Sequence, residues 1–154
     1  MQVFVENEAG SSVKHLYDRH TLTFVNTTSV SLPYPYPYGF VIGTVGGDGD
    51  AVDCFVLTES PVSREDTISC IPLGLLEQVE DGETDHKVLA TPVHEQRVLD
   101  AATITNLETF IRGVFAHLPG KTIQLGRLLG PAEAAAYVAA CREEPPAGTD
   151  RLHS

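Results

Sequence analysis

Positive charge is what this 154-residue chain has least of: 10 Lys and Arg stand against 21 Asp and Glu, a formal net charge of −11. The deficit is local. Eleven of the acids fall within residues 48–85, where Arg64 is the single base. A field of that sign repels phosphate backbones, so DNA, RNA and anionic membrane surfaces lose their usual attraction. Cysteine is sparse too. Cys54, Cys70 and Cys141 are odd in number and widely spaced, which suits neither a disulfide framework nor a CxxC metal or redox motif. Cys54 and Cys70 lie in apolar stretches and are expected to be small core residues. No run approaches the roughly 18 apolar residues of a membrane span. The start, Met1-Gln2-Val3-Phe4-Val5-Glu6, has no basic region and breaks at once on Glu6, so it does not read as a signal peptide. With 42% apolar residues the chain is expected to be one soluble, cytoplasmic domain over residues 1–143. The Pro- and Gly-containing tail, 144–154, is expected to be disordered.

Short β-rich runs alternate with turn residues up to Pro92. Strands are expected at 3–5, 22–25, 40–45, 54–57, 67–76 and 87–91, a spacing that argues for a small antiparallel sheet or barrel. The period then changes. Ile104, Leu107, Phe110, Ile111, Val114, Phe115 and Leu118 recur at helical intervals until Pro119-Gly120, which predicts an amphipathic helix of about four turns. A brief strand at 122–125 follows. Gly130-Pro131 then opens a second helix with Ala134, Tyr137, Val138 and Cys141 on one face.

Three stretches carry possible chemistry. In Gly46-Gly47-Asp48-Gly49-Asp50-Ala51-Val52-Asp53, three carboxylates crowd within six residues between apolar strands. Such groups raise one another's pKa unless cations neutralise them, and hard oxygens of this kind suit Mg²⁺ or Mn²⁺. A plain polar turn is the competing reading, and by itself the commoner one. An EF-hand fails: Glu59 is twelfth from Asp48, but Val52 takes the fifth place and Asp53 the glycine position. Gly46-Gly47 lacks the Lys-Ser/Thr ending of a P-loop. A second acidic stretch, Glu80-Asp81-Gly82-Glu83-Thr84-Asp85-His86-Lys87, is either a charged hairpin tip or a further source of ligands. The third, Leu32-Pro33-Tyr34-Pro35-Tyr36-Pro37-Tyr38-Gly39-Phe40, reads as a polyproline-like lead into a strand or as a set of phenol donors for an anion.

Taken in order, these pieces resemble the soluble family I inorganic pyrophosphatases. The family's Asp-x-Asp-x-x-Asp signature, preceded by Tyr-Pro-x-x-Tyr-Gly, is matched by residues 48–53 and 34–39. Its acidic hairpin ending Asp-x-Lys before an apolar strand and Pro is matched by residues 85–92. Its Val-Glu segment with a Lys eight residues on is matched by Val5-Glu6 and Lys14. The resemblance implies an α+β fold with an OB-like, closed five-stranded antiparallel β-barrel and two peripheral helices. It implies Mg²⁺-dependent hydrolysis of pyrophosphate, with Mn²⁺ as the alternative ion. Asp48, Asp53, Asp85 and Glu80 would hold metal. Asp50 would activate the attacking water, with Tyr38 beside it, and Lys14, Tyr34, Lys87 and Glu6 would contact substrate. It further implies a homo-oligomer, usually a hexamer in bacterial members. Some positions depart: Leu16 replaces an acid, Asn26 an arginine, and Leu118-Pro119 a Tyr-Lys pair. Two cationic phosphate contacts and one carboxylate are therefore missing, and charge-assisted contacts are the strong ones. Arg19, Lys121 and Arg127 are the candidates to replace them. An organic diphosphate substrate, or a metal-binding paralogue without turnover, are the alternatives to pyrophosphate hydrolysis.

Overall fold

The computed structural model describes residues 1–144. Its strands are β1 (Gln2–Asn7), β2 (Val13–Tyr17), β3 (Phe24–Ser29), β4 (Tyr38–Val41), β5 (Asp53–Val56), β6 (Thr67–Glu80), β7 (Glu83–Thr84), β8 (Lys87–Pro92) and β9 (Ile123–Leu129). Its helices are α1 (Ala101–Gly113) and α2 (Pro131–Ala140). Five strands pair in a ring, β1-β4-β5-β8-β6 and back to β1, with β7 and β9 added on β6 and β2–β3 forming a separate hairpin. This is an α+β, OB-like arrangement. Four of the ring's pairings are antiparallel. The fifth, β5 with β8, is parallel, against the all-antiparallel expectation. The reason is topological: β6 is the crossover that returns the chain to the same end of the sheet.

The 14 residues of β6 are a strand twice the usual length, and a bulge between Pro72 and Gly74 bends it so that it serves β1, β8, β9 and β7 in turn. At Gly39 the strands β4 and β1 approach so closely that a β-carbon would lie 1.7 Å from the Phe4 carbonyl oxygen. Only glycine fits there.

Apolar clusters form on both faces of the ring, because successive residues of a strand, such as Cys54 and Phe55, point to opposite sides. Val3, Val41, Cys54, Val56, Cys70, Val88 and Ala90 pack under Ala134 and Val138 of α2, which places both core cysteines as expected. Tyr34, Tyr38, Phe55, Leu76 and Leu89 pack under Leu107, Phe110 and Ile111 of α1. Asp100 caps α1 by accepting from the Thr103 N–H at 2.7 Å. The helix stops at Gly113 rather than continuing to Leu118. Ser31 explains this: its N–H donates to the Val114 carbonyl at 2.9 Å and its hydroxyl donates to the Gly113 carbonyl, so the terminal acceptors are taken by another segment. The strand β2 had no counterpart among the expected elements, and β3 begins two residues later than expected. No helix among the described residues is long and apolar enough to cross a membrane. The expected tail, Glu144 apart, lies outside the described residues.

Candidate metal and phosphate site

The acidic residues gather at one end of the ring, each delivered by a different local device. Residues 46–50 turn back on themselves. The Gly46 N–H donates to the Asp50 carbonyl at 2.7 Å and the Gly49 N–H to the Gly46 carbonyl at 3.1 Å, with Gly49 in the left-handed region at φ +85°. Within that turn the Asp48 carboxylate accepts from the Asp50 N–H at 3.0 Å. Asp53 opens β5, and Lys87 opens β8 directly beside it in register. Glu80 ends β6, where Asp81-Gly82, both at positive φ, form the two-residue turn into β7. Asp85 is fixed at the far side of that hairpin by its N–H donating to the Gln78 carbonyl at 2.9 Å.

The result is a cleft of about 420 Å³ lined by Glu6, Asp48, Asp50, Asp53, Glu80 and Asp85, with Lys14, Leu16, Arg19 and Val25 on the β2–β3 side. A smaller adjoining cavity shares Lys14, Glu80 and Asp85 with it and adds Tyr34, Tyr38, Gln78 and Lys87 over a floor of Phe55, Phe110 and Phe115. All ten residues expected from sequence thus line one of two contiguous cavities. Pro33 is exposed, but Tyr34, Pro37 and Tyr38 are buried, so the Pro-Tyr segment is not open along its length as a proline ligand would be. Tyr34 and Tyr38 are buried, their rings 5.2 Å apart, and Tyr36 turns away to stack with Arg97 at 5.4 Å.

Lys87 is the hub. Its ammonium donates to Asp53 at 2.6 Å, to Asp85 at 3.0 Å and to the Tyr38 hydroxyl at 3.1 Å. Burial opposes ionisation of Asp53, but Lys87 and then Lys14 hold its carboxyl below the usual range. Asp85 moves the other way: burial, reinforced by Asp53 and opposed by Lys87, raises it. Glu6, 6% exposed, is pushed up to about 8, first by burial and then by Asp53, against the pull of Lys14. Burial likewise raises Asp48, and it keeps the Tyr34 and Tyr38 phenols protonated, so both remain hydrogen-bond donors.

Among the described residues no three His, Cys, Asp or Glu side chains converge tightly enough to enclose a metal ion. The chemistry of the donor set nevertheless fits a hard divalent cation. It offers carboxylate oxygens in excess of positive charge, several with pKa values raised chiefly by burial, in an open cleft with room for water and phosphate.

Of the substituted positions, Leu16 and Asn26 are register partners on the β2–β3 hairpin. Leu16 lines the cleft, while exposed Asn26 only accepts from the Thr27 N–H at 2.8 Å. Leu118 and Pro119 lie in the turn that follows α1. The three candidate replacement cations separate clearly. Arg127 is held by Glu77 at 2.8 Å away from both cavities, Lys121 faces Glu80 at 3.5 Å, and Arg19 lines the cleft itself. Gln78 was not singled out from sequence. It is 2% exposed, faces the smaller cavity, and its Oε1 has no partner; a lone Gln in an apolar strand gives no pattern by which to find it.

The family model described as inorganic pyrophosphatase matches residues 3–143. The inorganic pyrophosphatase of Synechocystis is 32% identical over 111 residues, covering 70% of this chain and 64% of that protein's length. That of Geobacillus stearothermophilus is 29% identical over 150 residues, covering 92% and 91%. Among solved structures, the inorganic phosphatase of Anaplasma phagocytophilum superposes with a TM-score of 0.83 at 25% identity, covering 92% of this chain and 90% of that one. The inorganic pyrophosphatase of Coxiella burnetii gives 0.82 at 26% identity, covering 92% of each. With ring, cleft and acidic residues in place and the match running from β1 past the end of α2, the chain belongs to the inorganic pyrophosphatase family.

Proposed function

We propose that this chain, a hydrolase of the inorganic diphosphatase type, cleaves pyrophosphate into two phosphates with Mg²⁺ as its cofactor and Mn²⁺ as a substitute. The observation that carries this is the gathering of six carboxylates, Lys14, Lys87 and two buried phenols around one pair of contiguous cavities. Asp48, Asp53, Asp85 and Glu80 would hold the cation, which supplies neutralisation of phosphoryl charge and lowers the pKa of bound water. Asp50, exposed at the cleft mouth, takes the proton of the attacking water. Lys14 and Lys87 steer the phosphoryl oxygens, while the Tyr34 and Tyr38 hydroxyls donate to them. Water attacks one phosphorus in line, and the bond from that phosphorus to the bridging oxygen breaks, so the positioned groups carry most of the work. Glu6, whose carboxyl burial raises in the metal-free chain, lines the wall beside Asp53, where it would contact substrate. The reading includes a single domain over residues 1–143, a cytoplasmic setting and a homo-oligomer, a hexamer in the simplest case.

Phosphate release from pyrophosphate, measured across Mg²⁺, Mn²⁺ and Zn²⁺, tests the reading. Wild type should turn over and Asp50→Asn should be strongly impaired. Equal inactivity of the two proteins in every metal would refute it.

One observation favours a second substrate class. Leu16, at a position where an acid was expected, and Val25, 64% exposed, give the cleft an apolar wall. An organic diphosphate could rest its carbon portion there. Comparing nucleoside and isoprenoid diphosphates with pyrophosphate decides between them, and a clear preference for pyrophosphate removes this second reading.

A further inference from the structure

The turn that joins β2 to β3 is locked by Asp18, whose carboxylate accepts from the N–H groups of His20 and Thr21 at 2.9 Å each. Arg19 therefore leaves this turn from a fixed backbone. Its guanidinium is divided between two partners from distant parts of the chain. One outer nitrogen donates to the Gly49 carbonyl at 2.7 Å, and the other donates to the Glu143 carboxylate at 2.7 Å. Nε is buried and makes no hydrogen bond, so these two contacts set where the guanidinium lies.

Glu143 is itself anchored. Its N–H donates to the Gly43 carbonyl at 2.9 Å, and its second oxygen lies 2.7 Å from His20 Nε2. Beside it, Thr44 bridges to Arg142 and the Val45 N–H donates to the Cys141 carbonyl at 2.9 Å. The segment after α2 thus holds the entry to the aspartate turn. Arg19 grips the outermost carbonyl of that turn, at Gly49, between Asp48 and Asp50. The other bonds of the turn close it upon itself and do not fix it against the ring.

We propose that Arg19, held by Glu143, is a positioning residue that keeps the aspartate turn in the shape that takes a divalent cation. This rests on the reading of Asp48 and Asp50 as part of a metal-dependent site. The planar, always charged guanidinium suits the task, because one group can join a carbonyl and a carboxylate in fixed geometry. Residues that orient ligands from behind set affinity for the ion, and their loss weakens it by about tenfold or more.

The test is direct titration of the full chain with Mn²⁺ in a calorimeter, beside phosphate release from pyrophosphate as a function of Mg²⁺ concentration. Arg19→Ala should weaken Mn²⁺ binding about tenfold and raise the half-saturating Mg²⁺ by a similar factor. Turnover at saturating Mg²⁺ should fall by less than the affinity for the ion does, the split expected of positioning rather than chemistry. Arg19→Lys should fall between the two proteins, and Glu143→Gln should shift affinity in the same direction by less. Should Arg19→Ala not fold, Glu143→Gln and Arg19→Lys carry the comparison. Wild-type Mn²⁺ affinity in the folded variants, unchanged affinity with lost turnover, or no Mn²⁺ binding by the wild type would each overturn the proposal. Weakened Mn²⁺ binding in a chain that releases no phosphate would leave the proposal standing and remove pyrophosphate hydrolysis instead.

Discussion

Asp53 and Lys87 are register partners at the start of two parallel strands, and their side chains meet at 2.6 Å. The lysine is 8% exposed and the aspartate 19%. A buried ammonium thus stands among the carboxylates as the site's internal cation, with Asp85 and Tyr38 completing its hydrogen bonds.

Removing that cation should be costly. Lys87→Met leaves Asp53 and Asp85 without their partner, and breaking a buried pair in this way costs about 3–5 kcal/mol. Chemical denaturation in EDTA should show a loss of that order. Mn²⁺ should recover part of it, because a divalent ion can replace the missing charge. No loss in EDTA would mean that the carboxylates do not depend on Lys87.

Divalent cations should raise the stability of the wild type. An ion at 100 times its dissociation constant adds about 2.7 kcal/mol, visible as a rise in Tm. Asp85→Asn should move the two conditions in opposite directions. Burial raises the carboxyl pKa of Asp85, so a neutral amide should stabilise the metal-free chain while reducing the Mg²⁺-induced rise in Tm. A Tm of Asp85→Asn that responds to Mg²⁺ as wild type does would exclude Asp85 as a ligand.

Glu6 gives the metal-free chain a definite pH dependence. Its pKa is near 4.5 in the unfolded chain and about 8 in the folded one. Between these values the native state binds more protons than the unfolded state, so stability should fall as pH rises from about 4.5 through 8. The Glu6 contribution, on the order of a few kcal/mol, is fully present below the unfolded value and lost above the folded one. Glu6→Gln should flatten that part of the profile, measured by denaturant unfolding in EDTA. An unchanged slope would place its origin elsewhere.

Gly39→Ala should prevent normal folding. The added methyl would lie 1.7 Å from the Phe4 carbonyl oxygen, a contact that only separation of β1 from β4 could relieve. Soluble expression and far-UV circular dichroism report the outcome. A native-like spectrum and an unchanged Tm would show that the strands yield without cost.

Much of this architecture is written locally. The helical spacing of Leu107, Phe110 and Ile111, and the apolar runs of β5 and β8, identify their elements because each buries one regular face or a whole short strand. The end of α1 is not written locally, because Ser31, far away in the chain, takes its last carbonyls. Nor is β2, a short half-buried strand held chiefly by β3. The parallel pairing of Asp53 with Lys87 depends on how β6 crosses the ring, and no pattern in either strand encodes it. In the site, dense carboxylates are conspicuous in sequence and the structure brings them together. Arg19, Lys121 and Arg127 look alike as letters, and only their distances to Gly49, Glu80 and Glu77 tell them apart.

The hairpin of β2 and β3 is a sheet of its own, and this gives the cleft two walls of different mechanical standing. Asp53 and Lys87 belong to the ring and Glu80 to the end of β6, with Asp85 tied to β6 by its N–H on the Gln78 carbonyl. Lys14, Leu16 and Arg19 belong to the hairpin or its turn, which joins the rest through side chains rather than a strand ladder: Glu6 with the Tyr17 N–H at 3.2 Å, Asn7 with the His15 N–H at 2.7 Å, Tyr17 against Phe4, and Arg19 on Gly49 and Glu143. Segments joined so sparingly open at a lower free energy than the core. Native-state hydrogen exchange should find β2 and β3 less protected than β6 and β8, and equal protection would contradict this. An opening of the hairpin would carry Arg19 away from the Gly49 carbonyl, while Asp53 and Lys87 stay paired on the ring.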